Sequence, residues 1–160
     1  MKRVEGTKGF LPIDCVNPVK DKWRIRWDEQ QVKGSNSVTY MEEEFDHKPT
    51  IDEVKSVITG YFNEQVSSDI VSTFKYKGND VWLSQENQFN YKTAYDLAVQ
   101  SGGTTLPVTF KFGTDNKPVY YKFSTIKDLS DFYISAMQYV QKSLEKGWKK
   151  KDEFDFGLYV

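Results

Sequence analysis

Trp23-Arg24-Ile25-Arg26-Trp27 alternates apolar and basic residues with the period of two expected of a half-buried strand, and Val38-Thr39-Tyr40-Met41 supplies a return strand beside it. Gln30 to Asn36 is the connecting loop. After Pro49 the period changes. Ile51, Val54, Val57, Ile58, Tyr61 and Phe62 recur at spacings of three and four, so a helix running to about Val66 carries one apolar stripe while Asp52, Lys55 and Asn63 face outward. Thr50 and Glu53 form a capping box that satisfies two orphan amides at its start. Gly60 weakens it by about 1 kcal/mol relative to alanine.

The same succession of hairpin and capped helix recurs twice. Thr73-Phe74-Lys75-Tyr76 turns near Lys77 to Asp80 and resumes as Val81-Trp82-Leu83, after which Ser84 caps a helix. Glu86 in its first turn favours the helix dipole, Tyr91, Ala94, Tyr95 and Ala98 share a face, and Gly102-Gly103 supplies a left-handed stop. Val108-Thr109-Phe110-Lys111-Phe112 then alternates strictly, Gly113 to Asn116 turns, and Val119 to Phe123 returns. Thr125 and Asp128 repeat the capping box. Ile126, Leu129, Tyr133, Ala136, Met137, Val140 and Leu144 hold one stripe to Gly147, about five to six turns.

Three apolar helix stripes and three half-apolar hairpins predict an α+β fold, an antiparallel sheet with three helices on one face and the other face exposed. Residues 1–160 are expected to form a single domain. Gly6, Gly9, Pro12, Asn17 and Pro18 interrupt Phe10, Leu11, Ile13 and Val16, which predicts an irregular amino-terminal arm over residues 1–21 that docks by its apolar side chains. At the other end Gly147 reads as a helix stop, followed by Trp148 and a basic run. Phe154, Phe156, Leu158 and Tyr159 alternate with Asp155 and Gly157, the pattern of a further strand or an arm for a neighbouring subunit.

Composition narrows the functional classes. Twenty-two Lys and Arg oppose 23 Asp and Glu, so no net field draws the chain to polyanions. Nucleic acid is not implied. The single cysteine, Cys15, excludes an internal disulfide, no apolar run approaches a membrane span, and the charged start lacks a signal-peptide core. A cytoplasmic protein is expected, or one incorporated in a particle assembled there.

No catalytic or cofactor signature emerges. His47 lies among Glu42, Glu43, Glu44 and Asp46, yet consecutive carboxylates on an extended segment face alternate sides and cannot converge on one metal, so they read as a solvated strand edge. Cys15 has no base placed beside it. Phosphate loops, Cys/His zinc clusters and nucleophile elbows are missing, and no cofactor or metal is expected. Lys75, Tyr76 and Lys77, with Lys111, Tyr120, Tyr121 and Lys122, interleave aromatic and basic groups as a single-strand nucleic-acid binder does. Aromatic-in, lysine-out strands produce the same pattern. The residues expected to touch partners are Arg24 and Arg26, presented on one face to an acidic partner, with Trp148, Phe154, Phe156 and Tyr159.

Val81-Trp82-Leu83-Ser84-Gln85-Glu86-Asn87-Gln88-Phe89-Asn90, then Leu106 to Phe110, the Asp115-Asn116 turn and the long helix to Gly147-Trp148, resemble an uncharacterised domain family of phage and prophage proteins. That family often accompanies tail and tail-fibre genes. The resemblance covers residues 74–152 and transfers no catalytic residue. It implies a non-enzymatic, virion-associated structural or assembly protein whose partners are other phage or prophage structural proteins, with a homo-oligomer as one form. The alternative is an accessory binding domain for glycan or single-stranded nucleic acid, which requires several exposed Tyr or Trp on one concave surface.

Overall fold

The computed structural model describes residues 1–160 and is α+β, with three helices, a four-stranded antiparallel sheet and two small hairpins. The chain divides into two compact units where one domain was expected: residues 1–61 with 153–160, and residues 62–152.

In the first unit β3 (Lys22–Gln31) and β4 (Val38–Phe45) form the hairpin read from the Trp23 to Met41 pattern. The predicted irregular arm is instead two strands: β1 (Lys2–Gly6) pairs antiparallel with β4, and β2 (Ile13–Asn17) pairs antiparallel with β3. The spatial order is β1-β4-β3-β2. Gly9 and Pro12 therefore separate two short strands and do not dissolve them, with Gly6 the last residue of β1; β1 pairs with residues 32 to 40 positions away and β2 with residues 5 to 12 positions away. Ile25 and Trp27 are buried on one side of the sheet, where Trp27 meets Tyr61 edge-on at 5.7 Å. Tyr61 belongs to α1 (Ile51–Ser72), which starts with the expected box: the Thr50 amide donates to Glu53 at 2.8 Å, and the Glu53 amide donates to the Thr50 hydroxyl at 3.3 Å.

The carboxyl-terminal residues do not form a strand. Phe156–Tyr159 is a 3-10 turn whose Tyr159 is buried and donates its hydroxyl to the Arg26 carbonyl at 2.7 Å, while Phe154 lies against Phe156 at 4.8 Å. Tyr159 is spent on intramolecular burial, while Leu158 stays 57% exposed.

The second unit holds β5 (Lys75–Tyr76), β6 (Asn79–Asp80), α2 (Gln85–Gln100), β7 (Val108–Thr114), β8 (Lys117–Phe123) and α3 (Ile126–Asp152). The expected single sheet is thus three separate sheets. Aromatic packing replaces a continuous sheet here: Phe132 is fully buried, with the rings of Tyr76, Tyr91, Phe112 and Phe123 all centred within 5.2 Å of it. Both predicted caps hold, with the Ser84 hydroxyl accepting from the Asn87 amide at 3.2 Å and the Thr125 hydroxyl from the Asp128 amide at 3.1 Å.

Gly147 is not a stop, because α3 continues to Asp152. It is a point of close approach between helices: a Cβ there would stand 2.2 Å from Val66 Cγ2 on α1. The β7-β8 hairpin closes at the Thr114 to Lys117 pair, and only glycine fits at position 113, where φ is +80° and a Cβ would meet the Lys117 carbonyl oxygen at 2.2 Å. No helix is long and apolar enough to cross a membrane.

Candidate contact cleft

In the second unit a cleft of about 790 Å³ lies between β6, the first turns of α2 and one edge of β7. Its volume is within the range of small-ligand and peptide sites. Local sequence builds its rim. Val81 and Leu83 are buried, so the residue between them in extended chain faces the opposite way, and Trp82 stands 58% exposed at the cleft. Two bonds pin the flanking backbone: the Val81 amide donates to the Phe74 carbonyl at 2.9 Å, and the Leu83 amide to the Val71 carbonyl at 3.0 Å. The Asn87 side chain donates to the Trp82 carbonyl at 2.8 Å and the Gln88 side chain to the Leu83 carbonyl at 2.8 Å, tying this loop to the helix it caps.

Several polar groups that reach the cleft have no partner inside the protein. Tyr91 is only 3% exposed and lines the cleft beside Phe110, at 4.7 Å between ring centres, yet its hydroxyl makes no hydrogen bond. Burial pushes that phenol up to about 12, so near neutral pH it is a protonated donor. Asn90, one residue before it, makes no side-chain hydrogen bond either. The third group is backbone. β7 pairs only with β8, and its opposite edge lines the cleft through Thr109, Lys111 and Gly113. Counting back from the Thr114 to Lys117 closing pair, the amides and carbonyls of Thr109 and Lys111 point away from β8.

Charge in the cleft is balanced. Lys111 pairs with Asp115 at 3.2 Å and Lys75 with Asp80 at 2.6 Å. Such exposed pairs are worth well under about 1 kcal/mol, but they leave no surplus positive charge for a phosphate backbone.

The residues singled out from sequence lie mostly elsewhere. Arg24 and Arg26 do share a sheet face, but carboxylates of the same sheet already hold them: the Nε atoms of both lie 3.2 Å from Glu42 Oε2, Arg24 Nη2 lies 3.2 Å from Glu44, and Arg26 is 3.8 Å from Asp14. They are not a free docking face. Glu42 to Phe45 is no solvated edge, since β4 is an inner strand and Glu42 is 4% exposed among Lys2, Arg24 and Arg26. The Glu44 carboxyl sits below its ordinary range, first through the hydrogen bond from Lys2 and then through the charges of Lys2 and Arg24.

His47 contacts the α1 cap, Nε2 to Glu53 Oε1 at 2.9 Å, and Cys15 is a half-buried free thiol opposite Trp23. Phe154, Phe156 and Tyr159 face one another. Trp148 alone of the expected contact residues is markedly exposed, beside Asn63 and Lys151. Of the aromatic and basic residues, Tyr76 is buried and donates to Asp131 at 2.8 Å, Tyr121 accepts from Lys77 at 3.1 Å, and Tyr120 remains exposed. No stacking platform assembles from them.

Sequence reasoning missed the cleft. Its one legible signal was Val81-Trp82-Leu83, where period-two alternation into a helix cap turns the largest side chain outward if its neighbours are core. The chain matches no family model, no curated protein and no solved structure.

Proposed function

We propose that the protein is a non-enzymatic structural or assembly component, acting through protein contacts made by the cleft of residues 62–152, in a phage or prophage particle. The observation that carries this is the exposure of Trp82, at 58%, on the cleft, with Phe89, 68% exposed outside the cleft lining, in the segment on which the resemblance to phage and prophage tail-associated domains rests. Large exposed aromatics beside a concave surface are the usual anchors of protein interfaces, and burying one contributes roughly 2 kcal/mol or more. The unpartnered Asn90 and Tyr91 groups supply directional contacts at the same place. The partners are other structural proteins of the particle. The internal pairing of Arg24 and Arg26 argues against the first unit as an electrostatic dock.

The test is to replace Trp82 by a photoreactive benzoylphenylalanine and irradiate cells in which particles assemble. The expected product is a covalent adduct with a particle structural protein. Absence of any protein adduct from Trp82, with the chain missing from purified particles and assembly intermediates, contradicts the proposal.

A further inference from the structure

We infer that the cleft takes an extended peptide segment of a partner protein, added as a strand to the open edge of β7; this rests on the contact function just proposed. Three features of the same site point to a backbone as occupant. The edge formed by Thr109 and Lys111 offers amides and carbonyls in the spacing that a paired strand satisfies. A strand on that edge brings its own polar backbone into reach of the Asn90 side chain and the Tyr91 hydroxyl, both of which lack partners within the protein. Trp82, which also lines the cleft, offers an apolar surface to alternate side chains of the incoming segment. The pairing of Lys111 with Asp115 and of Lys75 with Asp80 makes a neutral occupant the electrostatic match and disfavours a nucleic-acid strand.

The edge is also incompletely protected. Natural edges are blunted by charge or proline. β7 has Lys111, whose ammonium is drawn to Asp115 at the turn, and no proline.

Panning the full chain against a displayed library of random octapeptides tests this. Enriched peptides are expected to alternate apolar and polar residues, to quench or shift Trp82 fluorescence, and to bind Lys111→Pro about tenfold or more weakly, because proline removes an outward amide without touching a bond to β8. An enriched peptide N-methylated at alternate residues, which keeps its side chains but loses donors, is expected to lose binding to the unaltered chain by a similar factor in one of its two methylation registers. That second measurement stands even if the proline variant does not fold. No enrichment, or enriched peptides indifferent to both changes, overturns strand addition. If Trp82 still forms an adduct with a structural protein in cells, the contact function survives and only the mode of recognition fails; loss of both removes the function as well.

Discussion

The two units differ in where they leave polar groups open. In residues 1–61 with 153–160, charge is neutralised across neighbouring strands, Lys2 to Glu42 and Glu44, Arg24 and Arg26 to Glu42, and the last tyrosine closes on the Arg26 carbonyl. In residues 62–152, an aromatic core supports a cleft where a strand edge, an amide side chain and a phenol have no internal partner. Both units leave polar groups without a hydrogen-bond partner, the first the buried Arg24 Nε and Trp27 Nε1 and the second the groups at the cleft; what sets the second apart is that its open groups line a concave surface beside an exposed tryptophan. That contrast favours the second unit for the proposed contact surface.

The comparison breaks most severely if the aromatic core is removed. Phe132→Ala is expected to lower unfolding free energy by about 4 kcal/mol, since a fully buried ring leaves a cavity beneath Tyr91 and Phe110; chemical denaturation measures it. In the first unit Glu42→Gln leaves two guanidinium groups short of a carboxylate and is expected to cost about 2 kcal/mol, below the figure for a fully buried pair because Arg24 remains partly exposed. The matching change in the second unit, Asp80→Asn, is expected to cost no more than about 0.5 kcal/mol. Equal losses from the two carboxylates would erase the distinction. Tyr159→Phe removes one hydrogen bond and is expected to cost about 1 kcal/mol.

Acid sharpens the contrast further. Glu44 and Asp46, each held down first by a lysine hydrogen bond, and Glu53, held down first by the Thr50 amide, all lie in the first unit. A carboxyl lowered in the folded state contributes stability above its unfolded value, near 4.5 for Glu and 3.8 for Asp, and that stability is lost as pH falls through the folded value. As pH falls from about 5 to 3, amide signals around Glu44, Asp46 and the α1 cap are therefore expected to shift and weaken modestly, since all three carboxyls are solvent-exposed. On the alkaline side Tyr76 and Tyr91, both raised to about 12 with burial as the first cause, contribute stability that is complete below the ordinary 10 and is lost as pH rises toward 12.

How much of this was legible followed the range of the interactions. The α+β class, the α1, α2 and α3 starts and the first and last hairpins rest on local periodicity and capping, and they hold; the middle hairpin turns earlier than its pattern suggested, pairing Lys75–Tyr76 with Asn79–Asp80 and leaving Val81-Trp82-Leu83 outside any strand. β1 escaped because its partners lie 32 to 40 residues away: Lys2 reads as a charged tail until Glu42 stands opposite it. β2 pairs only 5 to 12 residues away and escaped because Pro12, Asn17 and Pro18 read as breakers around a short apolar run. Gly147 carries the local mark of a stop, and only the presence of Val66 reveals it as a helix contact. The same limit applied to the site. Arg24 and Arg26 looked available because the carboxylates that hold them are 16 to 20 residues away. Tyr91 looked like helix core, and it is, except that its hydroxyl ends at a cleft assembled from three elements.

The most direct measurement is residue-resolved amide exchange in β7, for the full chain alone and with a peptide enriched by panning. The prediction is that Phe110 and Phe112, paired to β8, exchange slowly throughout, while Thr109 and Lys111 exchange fast alone and become protected about a hundredfold or more on binding. Thr109 and Lys111 already protected in the free protein, or unchanged with peptide bound, would contradict an open edge that receives a strand.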